Sequence, residues 1–267
     1  MRWVHRSNEP DRPMPVAPLT AVIITKNEAD NITRCIHSLL SVVEEILVVD
    51  SGSEDDTVAI ARKLGARVVS TEWKGYAQTK NYANSLAAND WILSIDADEV
   101  ISTELAAAIL NLSFDGNMAY AFNRLNNFLG QWIKHCGWFP DWKIRIFDRR
   151  MSYWVGEFVH EKLKFSSTVK VTKLSGLLYH YSYKNDADHW QRIELYSNLS
   201  AAELYANGKK PSWIKQKGGP LFRLFRTFIL QKGFLDGKAG WIISQRAAKT
   251  VALKYEKLNQ LYQNKNA

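Results

Sequence analysis

The sequence predicts an α/β protein: an open, mostly parallel sheet flanked by helices, with a basic, amphipathic helical extension at its C-terminal end. Two patterns predict it. Short, β-branched apolar runs alternate four times with helical patterns between residues 19 and 100, as expected for strands buried on both faces and joined by crossover helices. From Lys209 to Thr250, ten Lys and Arg face one acid, Asp236, so the chain's net charge of +8 resides in that stretch. The length of 267 residues and the 46% hydrophobic content suit one large domain, or a domain with an appendage.

In chain order, Met1 to Pro18 carries four prolines and no apolar core, and is expected to be an extended, poorly ordered lead rather than a signal peptide. Leu19 to Thr25 is the first strand. A helix follows with Ile32, Cys35, Ile36, Leu39 and Leu40 on one face. Glu45 to Asp50 is the second strand, Ser51-Gly52-Ser53 a tight turn, and Asp55-Asp56-Thr57 begins a helix to Leu64, with Gly65 at its C′ position. Ala66 to Ser70 is a third strand. A helix from Tyr76 to Ala87 leads to the fourth, at Trp91.

That fourth strand ends in Asp96-Ala97-Asp98-Glu99. An unpaired carboxylate buried in a strand costs several kcal/mol, so Asp96 and Asp98 are expected at the strand's exit, facing water or a cation. A hard cation such as Mg²⁺ is held by one or two carboxylates together with substrate phosphates. Taken alone, an Asp-x-Asp is common, and the acids better suit an acidic turn before a helix capped by Ser102 or Thr103. The polar segments Thr25 to Glu28, Asp50 to Ser53 and Asp96 to Glu99 all fall at strand carboxyl ends, where open α/β sheets bind ligands. No G-x-G-x-x-G and no phosphate-binding G-x-x-x-x-G-K-[ST] occurs. The two cysteines, Cys35 and Cys136, have no metal-ligand spacing and fit a reducing compartment.

Ala21-Val22-Ile23-Ile24-Thr25-Lys26-Asn27-Glu28, Val48-Val49-Asp50-Ser51-Gly52-Ser53, Gln78-Thr79-Lys80-Asn81-Tyr82-Ala83 and Leu93-Ser94-Ile95-Asp96-Ala97-Asp98-Glu99, in this order and spacing, resemble a family-2 glycosyltransferase of the GT-A fold. Within that family the chain is most similar to bacterial lipopolysaccharide-core β-1,4-glucosyltransferases acting on the inner-core heptose. The likeness continues through Pro140 to Phe147, Val159-His160-Glu161 and Lys232 to Gly237.

The resemblance implies a GT-A catalytic domain over 19–185, divided into a nucleotide-sugar half (19–100) and an acceptor half (101–185); the helical pattern and basic charge beyond it make 186–267 an expected helical, membrane- or acceptor-associated region. It implies a nucleotide-sugar donor, expected to be UDP-glucose, and Mg²⁺ or Mn²⁺ as cofactor. Thr25, Glu28, Asp50, Ser51, Gly52 and Ser53 would bind the nucleoside, Asp96 the ribose and metal, and Lys80 the diphosphate. Asp98 would ligate the metal, and His180 would complete its shell. An inverting transfer also needs a base for the acceptor hydroxyl. Glu161 is the first choice, with Asp141 and Glu157 as alternatives, Arg145 as a substrate contact and His160 as a positioner; His135 has no assigned role. Trp132, Trp138, Phe139, Trp142 and Trp154 offer flat faces for sugars, or core packing.

From Ala187 to Asn207 a helix is expected, with Ile193, Tyr196, Leu199 and Leu204 as its apolar positions and Gly208 closing it. Beyond it, Trp213 to Ile229 interleaves apolar residues with Arg223 and Arg226. This suits either a helix lying at a membrane surface, with its cations on anionic headgroups or acceptor phosphates, or an amphipathic helix packed on the domain. A final helix runs from Trp241 to Gln260. No apolar run has the length of a membrane span, which suits the cytosol or a membrane's cytosolic surface, and no nucleic-acid motif is present; the resemblance implies a cytoplasmic location, peripheral at the inner face of a bacterial inner membrane. The competing readings are a family-2 enzyme with a polyprenyl phosphate or peptide acceptor, and a non-catalytic basic module that binds membrane or RNA.

Overall fold

The structure, a computed structural model, describes residues 16–114, 117–156, 161–183 and 185–266. The chain forms two compact units. One runs up to Ala121 and includes Ile144–Gly176; the other comprises Phe122–Lys143 and the chain from Leu177 onward. The expected boundary at 185/186 falls inside the second unit; of the expected lead, Met1 to Pro18, residues 1–15 lie outside the described residues, while Ala17 and Pro18 already belong to the first strand.

In the first unit, β1 (Ala17–Thr25), α1 (Ala29–Leu39), β2 (Val43–Asp50), α2 (Thr57–Lys63), β3 (Arg67–Ser70), α3 (Tyr76–Leu86) and β4 (Trp91–Ser94) alternate as expected. β5 (Glu99–Ile101) and α4 (Thr103–Leu110) follow. Then come β6 (Met118–Phe128), β7 (Gln131–Trp132), β8 (Asp141–Asp148), β9 (Ser152–Val155), β10 (Lys162–Phe165) and β11 (Lys170–His180). The main sheet has the order β3-β2-β1-β4-β8-β6-β11-β5. β3, β2, β1 and β4 are parallel, and β8 joins β4 antiparallel. This is the α/β GT-A architecture: the strand order reverses beside β1, so the carboxyl ends of β1, β2 and β4 share one edge.

Burial explains these elements. Val22, Leu47, Val49, Ile92 and Phe147 form the sheet's core. Ile32, Cys35, Ile36 and Leu39, at helical spacing, are all fully buried on α1. Leu40 was expected on that face but is half exposed, because the helix stops at Leu39 and Leu40 caps it by donating its N–H to the Ile36 carbonyl. Gly65 takes φ +86° after α2, as its C′ position requires. Ser102 Oγ accepts the Leu105 N–H and caps α4, so the acidic turn and the capped helix coexist.

In the second unit, α5 (Asp186–Ala206) packs on α7 (Gly237–Asn266), as does α6 (Trp213–Phe225). The buried stripe of α5 is His189, Ile193, Ser197 and Ala201. Of the apolar positions expected there, Ile193 is buried, whereas Tyr196 is exposed. The small Ser197 and Ala201 turn this face to α7, where Lys257 Nζ donates to Ser197 Oγ at 2.7 Å. A π-helical turn (Arg226–Leu230) and a 3-10 turn (Gly233–Asp236) connect α6 to α7. Asp236 is buried there and accepts the backbone N–H of His135 at 2.9 Å, with His135 Nδ1 also 2.9 Å from its carboxylate.

Candidate active site

The first layer of the site is the paired ends of β1 and β2, where Thr25 stands opposite Asp50. Asp50 is buried. Its Oδ2 accepts the N–H groups of Gly52 and Ser53, each at 3.0 Å, and its Oδ1 accepts the Ser53 hydroxyl. Gly52 at φ +84° gives the turn its shape. Asn27 donates its N–H to Ser53 Oγ at 2.9 Å and accepts the Glu54 N–H at 2.8 Å, lacing the two loops together. Glu28 is turned toward α1, where its carboxylate accepts from Asn31 Nδ2 at 2.6 Å. Among the described residues, Thr25 Oγ1 and Ser51 Oγ are buried with no hydrogen-bond partner. Orphaned hydroxyls are uncommon in interiors and cost about 1–3 kcal/mol each, so two of them at one sheet edge suit a polar ligand.

The second layer is the end of β4. Glu99 donates its N–H back to the Asp96 carbonyl at 3.0 Å, which closes residues 96–99 into a turn. Glu99 Oε2 accepts the Asp96 N–H at 3.1 Å. Asp96 and Asp98 are half-buried on this turn, as expected for a strand exit, while Glu99 is fully buried. Glu99 opens β5 and anchors Arg145. Arg145 on β8 donates to Glu99 Oε1 and, at 2.8 Å, to Asp96 Oδ2. Burial opposes its charge, but Asp96 and Glu99 outweigh burial and raise its pKa. Only 4% exposed, Arg145 positions Asp96 from behind; the substrate contact expected of it is not what its burial favours. Cys35 lies against the same turn, with its Sγ 3.6 Å from the Asp96 carbonyl. Burial, reinforced by Glu99, Asp98 and Asp96, raises its pKa well above the usual thiol value, so it stays a neutral thiol.

Lys80 is the third layer. It is 5% exposed on α3, with Nζ 3.1 Å from Glu161 Oε1, 3.8 Å from Asp96 Oδ1 and 4.6 Å from the centre of the Trp154 ring. Trp154 is held by Asn81, which accepts its N–H at 2.8 Å and donates to its carbonyl at 2.9 Å. Glu161, Lys80, Asp96, Arg145 and Glu99 thus form one alternating ladder of charge. The sequence pointed to Lys80, Asp96 and Glu161. It missed the bracing by Glu99 and the Asn81–Trp154 seat beneath Lys80; Asn81, adjacent to Lys80 within a polar run, was the available signal.

His180 and Asp141 belong to the second unit and have partners there. His180 Nδ1 lies 2.6 Å from Asn126 Oδ1 and 2.9 Å from Ser182 Oγ. Asp141 is clamped by Arg124 at 2.8 Å and Lys143 at 3.0 Å. Burial alone would raise its pKa, but these two cations hold it below the usual carboxylate value. Trp132 meets Tyr179 at a tilt and Tyr181 edge to face, and Trp138 packs beside Phe128, whereas Trp154 is core. Glu157 and His160 lie outside the described residues.

The first unit's ladder and turn bring four carboxylates, those of Asp96, Asp98, Glu99 and Glu161, together with two cations. Among the described residues no three metal-ligating side chains gather into a cage. Asp96 and Asp98, the two half-buried acids of the turn, are hard oxygen donors of the kind that hold a divalent cation together with substrate phosphates. The family model described as Glycosyl transferase family 2 matches residues 20–161, which contain every rung of this ladder. The chain belongs to that family.

Curated relatives span nearly all of this family-2 glycosyltransferase. An uncharacterized glycosyltransferase of Rickettsia felis is 34% identical, over 93% of this chain and 92% of its own length. The lipopolysaccharide core biosynthesis glycosyltransferase LpsC of Rhizobium meliloti is 26% identical, over 92% of this chain and 94% of its own. Glucosyl-3-phosphoglycerate synthase of Mycobacterium tuberculosis is similar over 41% of this chain and 44% of that one, at 24% identity and a TM-score of 0.34, too slight a likeness to inform ligands.

Proposed function

We propose that this family-2 glycosyltransferase is an inverting hexosyltransferase that moves glucose from UDP-glucose to the inner-core heptose of lipopolysaccharide, forming a β-1,4 linkage. The observation that carries the donor half is the Lys80–Asp96–Arg145 ladder at the end of β4, next to the buried, unpartnered Thr25 and Ser51 hydroxyls. The nucleoside binds against Asp50 and these hydroxyls. Asp98 and Asp96 would hold Mg²⁺ or Mn²⁺. The cation, when bound, neutralises charge on the departing diphosphate. Arg145 and Glu99 fix the angle of Asp96, and Lys80 places a compact positive charge beside the diphosphate.

Glu161, held by Lys80, accepts the proton of the attacking acceptor hydroxyl, and the new glycosidic bond forms as the bond to the nucleoside diphosphate breaks. The acceptor assignment is supported by the similarity to LpsC along nearly the whole chain, and the location proposed with it is the cytoplasmic face of the inner membrane. The test is a screen of nucleotide sugars against truncated lipopolysaccharide cores, with the linkage of each product determined. Transfer of glucose to an exposed inner-core heptose is the expected result. Transfer only to a polyprenyl phosphate or a peptide would overturn the acceptor, and a preference for another nucleotide sugar would overturn the donor.

A further inference from the structure

We propose that the outward face of α6 and the π-helical turn after it docks on the surface of an anionic lipid bilayer. α6 buries none of its residues although it packs on α7. Ile214, Leu221, Phe222, Phe225 and Ile229 recur at helical spacing along one stripe, and each is at least 45% exposed, with Ile214 at 73% and Leu221 at 70%. At 1.5 Å per residue the stripe is about 22 Å long. Contiguous exposed apolar surface of this kind on a soluble fold marks an interaction face. The alternative drawn from sequence, a helix whose apolar side is covered by its own domain, does not hold for this stripe.

The charge around the stripe selects the occupant. Lys215, Lys217, Arg226 and Lys232 are exposed beside it. Burial and then the neighbouring Arg226 lower the pKa of Arg223, while burial followed by Arg223 and Lys215 lowers that of Lys254. These cations crowd one another, and anionic headgroups would relieve the repulsion. A second copy of the chain would instead set like charges against each other. The first fifteen residues are no better a cover, with Arg2, Arg6 and Arg12 against Glu9 and Asp11. No described helix is long and apolar enough to cross a membrane, so the stripe lies in the interface, with its rings at headgroup depth and its cations on the phosphates. The inference does not depend on which sugar is transferred.

The test is co-sedimentation of the full chain with sugar-free vesicles of phosphatidylcholine alone, or with about 30% phosphatidylglycerol, a range in which anionic lipid recruits basic segments. Binding to the anionic vesicles only is expected, falling about tenfold or more in high salt. The Phe222→Ser/Phe225→Ser variant should bind about tenfold or more weakly, as should the Lys215→Glu/Lys217→Glu variant, with circular dichroism and UDP binding of both unchanged. Because the vesicles carry no acceptor, failure here would be distinct from failure of the proposed transfer. Undiminished binding by either variant would overturn the proposal. So would a wild-type dimer that the aromatic variant dissociates, since the face would then belong to a second copy.

Discussion

Arg145 holds two acids at once, and one of them, Glu99, has no exposure to water. Removing the guanidinium leaves Glu99 a buried charge without this cation, a change that typically costs about 3–5 kcal/mol. Arg145→Met should therefore lower the unfolding free energy from urea denaturation by that order, and adding Glu99→Gln should recover part of the loss; equal destabilisation in the single and double variants would contradict the pairing. Lys80→Met acts differently. Its Nζ bridges Glu161 and Asp96 over the Trp154 ring, so transfer should fall by about tenfold or more while Trp154 keeps its bonds to Asn81. An unchanged rate would remove Lys80 from the diphosphate site. Asp50, Asp96 and Asp98 were legible in the sequence because each breaks an apolar run at a strand end. Glu99 was not: an acid directly after Asp96-Ala97-Asp98 gives no sign that it alone turns fully inward, and its cation lies 46 residues further on.

At the scale of elements, close backbone approaches fix the packing. A Cβ on Gly176 of β11 would come within 2.3 Å of the Leu105 nitrogen in the first turn of α4, and its φ of +90° is itself unfavourable for other residues. Gly176→Ala should destabilise the first unit by about 2 kcal/mol or more. Ser102→Ala, which removes only the cap of the same helix, should cost about 1 kcal/mol. Chemical denaturation orders the two, and a harmless Gly176→Ala would contradict this packing. The strands and helices up to β4 were legible because hydrophobic periodicity and turn residues agree there. The orientation of α5 was not, since its inward stripe contains Ser197 and Ala201, and their value lies in how closely they let α7 approach.

At the scale of the whole molecule, acid should weaken the protein through His189. Burial, and then the adjacent Arg246 guanidinium, lower its pKa to about 4, against 6.5 in an unfolded chain. Between those values the unfolded chain binds a proton that the native state refuses. The contribution is complete above pH 6.5 and is lost as pH falls toward 4, on the order of 2 kcal/mol. Urea midpoints at pH 7 and pH 4.5 should differ less in His189→Gln than in the wild type; an identical pH dependence would contradict the assignment.

The central claim, that the turn after β4 binds a nucleoside diphosphate through a divalent cation, is tested most directly by calorimetry of UDP binding with and without Mn²⁺, in the wild type and in Asp98→Asn. UDP should bind the wild type with Mn²⁺ and lose about tenfold or more in affinity without it, and Asp98→Asn should show the weaker affinity under both conditions. Tight, metal-independent binding of UDP by the wild type, or full Mn²⁺-dependent binding by Asp98→Asn, would contradict it.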